Sequence, residues 1–191
     1  MFMRTLSVAL LILAGLTPAF AGDAVTEIQK KDRDLQDYLK KCKGTALTHV
    51  QQDSLKFLIN GIFDFSELGK RSMGKNWATL SSVQQDSFVS VFKRMVENTS
   101  IKRLENYRSD SATYSVSGAG EKTVVKGTVW SKGKSSKVEY KLLQVNGRWK
   151  AWDLILDDLS TLKNYREQFQ TIINKDKFEG LMSRLRKNAG N

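Results

Sequence analysis

Lys137 to Phe169 reads KVEYKLLQVNGRWKAWDLILDDLSTLKNYREQF, two strand-like runs about Asn146-Gly147 and then a helical run. Both central positions of a type I′ turn need positive φ, which Asn and Gly tolerate best, so the dipeptide predicts a two-residue hairpin. Such a turn pairs Val145 with Arg148 and sets the register outward. With strict alternation, Val138, Tyr140, Leu142 and Gln144 share a face with Trp149, Ala151, Asp153 and Ile155. That face is mostly apolar. The other carries Lys141, Arg148 and Lys150 beside Leu143, Val145, Trp152 and Leu154. A sheet of this kind is either sandwiched by helices or lines a cavity.

Outward from the hairpin, Tyr107–Ser117 and Thr123–Ser131 are β-rich runs separated by Gly118-Ala119-Gly120, and Lys132-Gly133-Lys134 turns into the hairpin. Four strands joined by short turns predict an antiparallel meander. Gly127 marks a bulge or a close approach. Further upstream the period is helical. Val25–Lys43 places Ile28, Leu35, Tyr38, Leu39 and Cys42 on one stripe, with Gly44 as C-cap. Asp53–Phe63 is a second helix, a short one restarts near Asp64, and Gly74-Lys75-Asn76-Trp77 breaks it. Ser81-x-x-Gln84 is a capping box before Phe88, Val91, Phe92 and Met95, which repeat at i, i+3, i+4, i+7. Asn98-Thr99-Ser100 is a point of interruption before Ile101 and Leu104. Downstream, Ser160 or Thr161 caps a helix with Leu162, Tyr165, Phe169 and Ile172 on one stripe. Asn174–Lys177 loosens the chain before a last helix with Phe178, Leu181, Met182 and Leu185 inward, and a polar tail. The fold class is therefore α+β. It has N-terminal helices, a four-stranded curved antiparallel sheet, and two C-terminal helices packed on it in a cone shape around an apolar cavity.

Arg4, the apolar run Leu6–Leu16, Pro18 and Ala19-Phe20-Ala21 have the form of a signal peptide. Residues 1–21 are expected to be removed after Ala21, leaving 22–191 as one exported domain without a later membrane span. Cys42 is the only cysteine, so packing alone must hold the fold in an oxidising compartment. The formal net charge of +11 points, outside the cytoplasm, to phospholipid headgroups or acidic protein surfaces rather than nucleic acid. A simply solvated basic surface accounts for it equally well.

Catalysis finds no convincing residue set. One His and one Cys cannot build a usual zinc site, and no phosphate-cradling glycine loop or nucleophile elbow is present. A break at Gly44 separates Cys42 from His49. Asp153 falls on the apolar hairpin face, where it is either a general base acting with Tyr140 or a carboxylate paired with a Lys, an Arg or a backbone donor. Asp157 and Asp158 precede a helix, where negative charge and capping are favoured.

Two blocks carry a resemblance to a known family. Ile62–Val96, IFDFSELGKRSMGKNWATLSSVQQDSFVSVFKRMV, has an FD pair, a short helix, LG-x-x-W with Met73 in place of the usual Leu, and F-x-x-x-F. Asn146–Ile173, NGRWKAWDLILDDLSTLKNYREQFQTII, has G-x-W, a hydrophobic strand with Asp, and S-L-x-x-x-YR-x-x-F interrupted by Thr161. In order and spacing they resemble the periplasmic phospholipid-binding MlaC proteins, also called the toluene-tolerance auxiliary family. The resemblance implies a non-enzymatic, monomeric periplasmic carrier with bound phospholipid as cargo and no cofactor or metal. It would shuttle lipid between an outer-membrane lipoprotein–porin complex and an inner-membrane ABC transporter bearing MCE domains, maintaining outer-membrane lipid asymmetry. Val138, Tyr140, Leu142, Trp149, Ala151 and Ile155 would line the container. Phe88, Phe92 and Met95 would close it, together with Leu162, Tyr165 and Phe169. A basic envelope protein that binds partners through its surface remains the alternative, ahead of a small cavity enzyme.

Overall fold

The computed structural model describes residues 20–42, 47–104 and 109–190. Helix α1 (Phe20–Lys41) buries Ile28, Leu35 and Leu39 of the stripe read from the sequence, and Ala24 besides, while Tyr38 and Cys42 of that stripe are half-buried. Its suggested cap at Gly44 lies outside the described residues, as do most of the leader and Tyr107. Helix α2 (His49–Ile62) starts four residues before the expected Asp53, because Thr48 and Gln51 form a capping box. Helix α3 (Phe65–Met73) is capped by Asp64, whose carboxylate accepts from the Glu67 N–H at 2.9 Å. A 3-10 turn (Gly74–Thr79) delivers Trp77 edge-on to Phe88. The Ser81/Gln84 box opens α4 (Ser82–Leu104) as expected, and the helix continues through Asn98-Thr99-Ser100.

Strands β1 (Ser111–Ser117), β2 (Val124–Ser131), β3 (Lys134–Val145), β4 (Arg148–Leu156) and β5 (Leu159–Ser160) form one antiparallel sheet in sequence order. The sheet has five strands rather than four, since two residues before the last helix pair back onto β4. Asn146-Gly147 turns with φ of 51° and 75°, and Val145 pairs with Arg148 as the turn demands. Asp157 and Asp158 also have positive φ and make the β4–β5 turn. They do not cap the helix: Asp157 Oδ1 accepts from the Lys137 N–H at 2.8 Å.

Beyond the turn the register departs from strict alternation. Leu142 pairs with Ala151 but Lys141 pairs with Asp153, so Trp152 is the extra residue of a β-bulge. Residues past the bulge are displaced by one, Leu154 pairs with Tyr140 and Ile155 with Glu139. Ile155 therefore leaves the Val138/Tyr140 face and Leu154 joins it.

Helix α5 (Thr161–Asn188) contains a break at Lys177, with φ 59° and ψ −171°, within the region expected to separate two helices. Gly180 fits beside the break because a Cβ there would come within 2.2 Å of Asp176 Cβ. Helix α1 lies against β1, β2 and β4, while α4 packs chiefly on α2, α3 and α5.

Candidate lipid-binding site

Cross-strand partners share a face, so the register defines the inner surface of the sheet. Val116 pairs with Val125 and on to Tyr140; Tyr114 pairs with Gly127 and on to Val138; Ala112 pairs with Val129. Leu142, Ala151 and Trp149 continue the surface, the first two with no exposed area. Of the hairpin residues expected to line a container, Val138, Tyr140, Leu142, Trp149 and Ala151 are brought together. Ile155 is not, because the Trp152 bulge turns it to the opposite face. Tyr114, Val125 and Val129 stand on the same face, though the hairpin reading does not include them. The alternation of Ala112, Tyr114 and Val116 in SATYSVS is the sequence signal that could have found the β1 residues of this face. Val129 and Val138 are buried, yet among the described residues they stand apart from the main hydrophobic cluster.

The helical residues form a second group. Phe88 and Phe92 stack at 5.5 Å between ring centroids, Phe169 meets both edge-on, and Tyr165 meets Phe92 at 5.1 Å. Leu162 and Met95 are buried in the same core. The rings pack on Gly69 of α3, where a Cβ would lie 3.1 Å from Phe88. Burial pushes the Tyr165 phenol above its ordinary pKa, opposed by the Arg103 charge. This group is a filled aromatic core that ties α3, α4 and α5 together.

Asp153 is 1% exposed and fully engaged. It accepts from Ser160 Oγ at 2.8 Å and from the Leu162 N–H at 2.9 Å, with Lys141 Nζ 3.5 Å away. Ser160 Oγ in turn accepts from the Lys163 N–H. Tyr140 pairs with Leu154, on the other face. The acid/base pair considered from sequence therefore does not form, and Asp153 anchors the start of α5 instead. Among the described residues, no three His, Cys, Asp or Glu side chains converge to hold a metal ion. None of the described helices is long and apolar enough to cross a membrane.

Helix α1 holds the outer edge of β4. Glu27 accepts from the Trp149 N–H at 2.9 Å, Lys31 donates to the Trp149 carbonyl at 2.6 Å, and the two side chains pair at 2.7 Å. Burial pushes the Glu27 carboxyl up, but the Lys31 and Trp149 hydrogen bonds and the Lys31 and Arg148 charges outweigh it. Its pKa lies below the ordinary value. Lys150 donates to the carbonyls of Asn60 and Gly61, closing the end of α2. Burial first, and the Lys31 charge second, hold its ammonium below the usual lysine range. Asp64 N–H reaches the Ala151 carbonyl, and β5 covers the remainder. The apolar inner face is thus framed on the β4 side by polar contacts along most of the strand.

Residues 29–187 match the family model described as MlaC protein. The fold is also similar to a solved structure, that of a phospholipid-binding protein from Ralstonia solanacearum in complex with a phospholipid. The TM-score is 0.75 at 22% sequence identity, over 88% of this chain and 97% of that one. At that identity the likeness is one of fold. The family match spans α1 from Gln29 through the whole sheet and nearly all of α5: the chain belongs to the MlaC family.

Proposed function

We propose that this protein binds phospholipid and carries it, as a periplasmic shuttle, between an outer-membrane lipoprotein–porin complex and an inner-membrane ABC transporter with MCE domains. Membership of the MlaC family carries this reading, and a related fold described in complex with a phospholipid supports it. The physical requirement is plain. At about 0.8 kcal/mol per CH₂, a chain of about 16 carbons costs on the order of 12 kcal/mol to leave in water, so a lipid crossing an aqueous gap needs an apolar container.

In this reading the acyl chains lie against the inner face of the sheet, at Val138, Tyr140, Leu142, Trp149 and Ala151, joined by Tyr114, Val125 and Val129. The core of Phe88, Phe92, Met95, Leu162, Tyr165 and Phe169 backs that surface from the helical side. The excess of basic residues favours docking on anionic or acidic membrane complexes. Native mass spectrometry of protein isolated from the periplasm without detergent tests it. An adduct of phospholipid mass that disappears on organic extraction is the expected result. A bare protein that takes no lipid from vesicles would overturn the carrier and favour a surface-binding role.

A further inference from the structure

Helix α5 breaks at a lysine. Lys177 sits at φ 59° and ψ −171°, a region that only glycine enters freely because it has no Cβ. Contacts on either side hold the bend. Asp176 and Arg184 pair across it at 2.7 Å, and the chain turns so tightly that a Cβ on Gly180 would lie 2.2 Å from that of Asp176. Beyond the break, residues 178–188 form an arm that buries Leu181, Met182 and Leu185 in the main core. Its end is tied to α4, where Asn98 Nδ2 donates to the Ala189 carbonyl at 3.0 Å.

The contacts at the break belong to the bent form alone. In an unbroken helix, residues four apart have Cβ atoms about 5–6 Å from each other, so an alanine fits at position 180. Residues eight apart lie about 12 Å apart along the axis, too far for Asp176 and Arg184 to pair directly. Local preference favours the unbroken form, since Lys is a good helix former and no Pro stands anywhere in Thr161–Asn188. An unbroken α5 of 28 residues is about 42 Å long. It carries the arm off its seat and leaves Leu181, Met182 and Leu185, and the core surface beneath them, without cover. A single chain covers neither. A second copy offers both, an identical arm and an identical seat. Two chains that trade arms regain the same core contacts without the strained lysine.

We propose that residues 178–188 are an exchangeable arm hinged at Lys177, and that the partner it fits is a second copy of this chain. The interface is the seat the arm already occupies. Leu181, Met182, Leu185 and the hydrogen bond between Asn98 and Ala189 pass from contacts within one chain to contacts between two. Leu162, Tyr165 and Phe169 precede the hinge and keep their places, so the exchange stands apart from the carrier reading.

Refolding from urea at high protein concentration lets the arms trade, and light scattering after size exclusion reads the dimer. The wild type is expected to yield a dimer that separates only slowly on dilution. Gly180→Ala, which the bent form excludes and the unbroken helix accepts, should raise the ratio of dimer to monomer at least about tenfold. Lys177→Gly relieves the bent form and weakens the unbroken helix, so it should lower that ratio at least about tenfold and raise the melting temperature of the monomer. Exchange itself is read by refolding two chains together in a Cys42→Ser background, one with Asn98→Cys and the other with Ala189→Cys. A disulfide between copies is expected, because the arm of one then lies on α4 of the other. A wild type that refolds to monomer alone, a folded Gly180→Ala that stays monomeric, a ratio unmoved by Lys177→Gly, or a dimer that forms no disulfide would overturn the exchange. Where Gly180→Ala does not fold, the wild type, Lys177→Gly and the disulfide decide it.

Discussion

At Asp153 one carboxylate joins three parts of the chain: Ser160, the backbone of Leu162 and, at longer range, Lys141. Removing it leaves a buried N–H and a cation without their anion. Asp153→Ala is therefore expected to cost about 3 kcal/mol or more in urea unfolding, against about 1 kcal/mol for loss of the Ser160 cap in Ser160→Ala. Equal costs would mean that the carboxylate is no more than part of the cap. Glu27 gives a prediction in pH. Its folded-state pKa is depressed, so its contribution is present above the unfolded value and is lost as pH falls through the folded value. The wild type is the more stable at neutral pH, and its advantage over Glu27→Gln should shrink below the ordinary glutamate range and vanish below the depressed folded value. Melting temperatures of the two at pH 3 and pH 7 check this.

The bulge at Trp152 is the decision that matters most among the elements. Trp152 is held by the Arg71 guanidinium 4.2 Å above its ring and by Lys141 Nζ at 5.3 Å. These partners come from α3 and β3, so strict alternation within β4 cannot foresee the shift. Gly127 is the other constraint on the sheet. A Cβ there would meet the Tyr114 ring at 2.5 Å and the Thr113 carbonyl at 2.6 Å. Gly127→Ala is expected to destabilise by about 1–3 kcal/mol, as overpacking does. Adding Tyr114→Ala should not restore the loss in full, because the backbone oxygen remains. Full restoration in denaturant titrations would place the whole strain in the ring.

At the scale of the whole molecule, the container reading separates two valine-sized positions on one hairpin. Val138→Asp puts a charge on the inner face and is expected to cut phospholipid loading from vesicles at least about tenfold, since burying an unpaired carboxylate costs more than the factor of ten requires. Ile155→Asp, on the outer side of the bulge, should leave loading near wild type. Loss of loading in both, with both folded by circular dichroism, would return Ile155 to the lining and contradict the register argument.

Much of this architecture is written locally. The Asn146-Gly147 turn, the Ser81/Gln84 cap, the stripe of α1 and the Phe88/Phe92/Met95 repeat each depend on residues within a few positions of one another. Backbone sterics and helical periodicity are enough to read them. The family resemblance, too, lay in short blocks whose order and spacing survive in the linear chain. What the sequence could not contain was partner choice over long separations. Glu27 and Lys31 reach Trp149, Lys150 reaches Asn60, Arg71 meets the Trp152 ring, and Asp153 beyond the bulge meets Ser160 and Leu162. An apolar wall and an apolar core have the same composition, and only the pairing of the strands puts Val129 and Tyr114 on the face of Val138. Tertiary structure decided these points because each polar group satisfies whichever partner the packed helices and sheet bring within reach, and no local pattern records that distance.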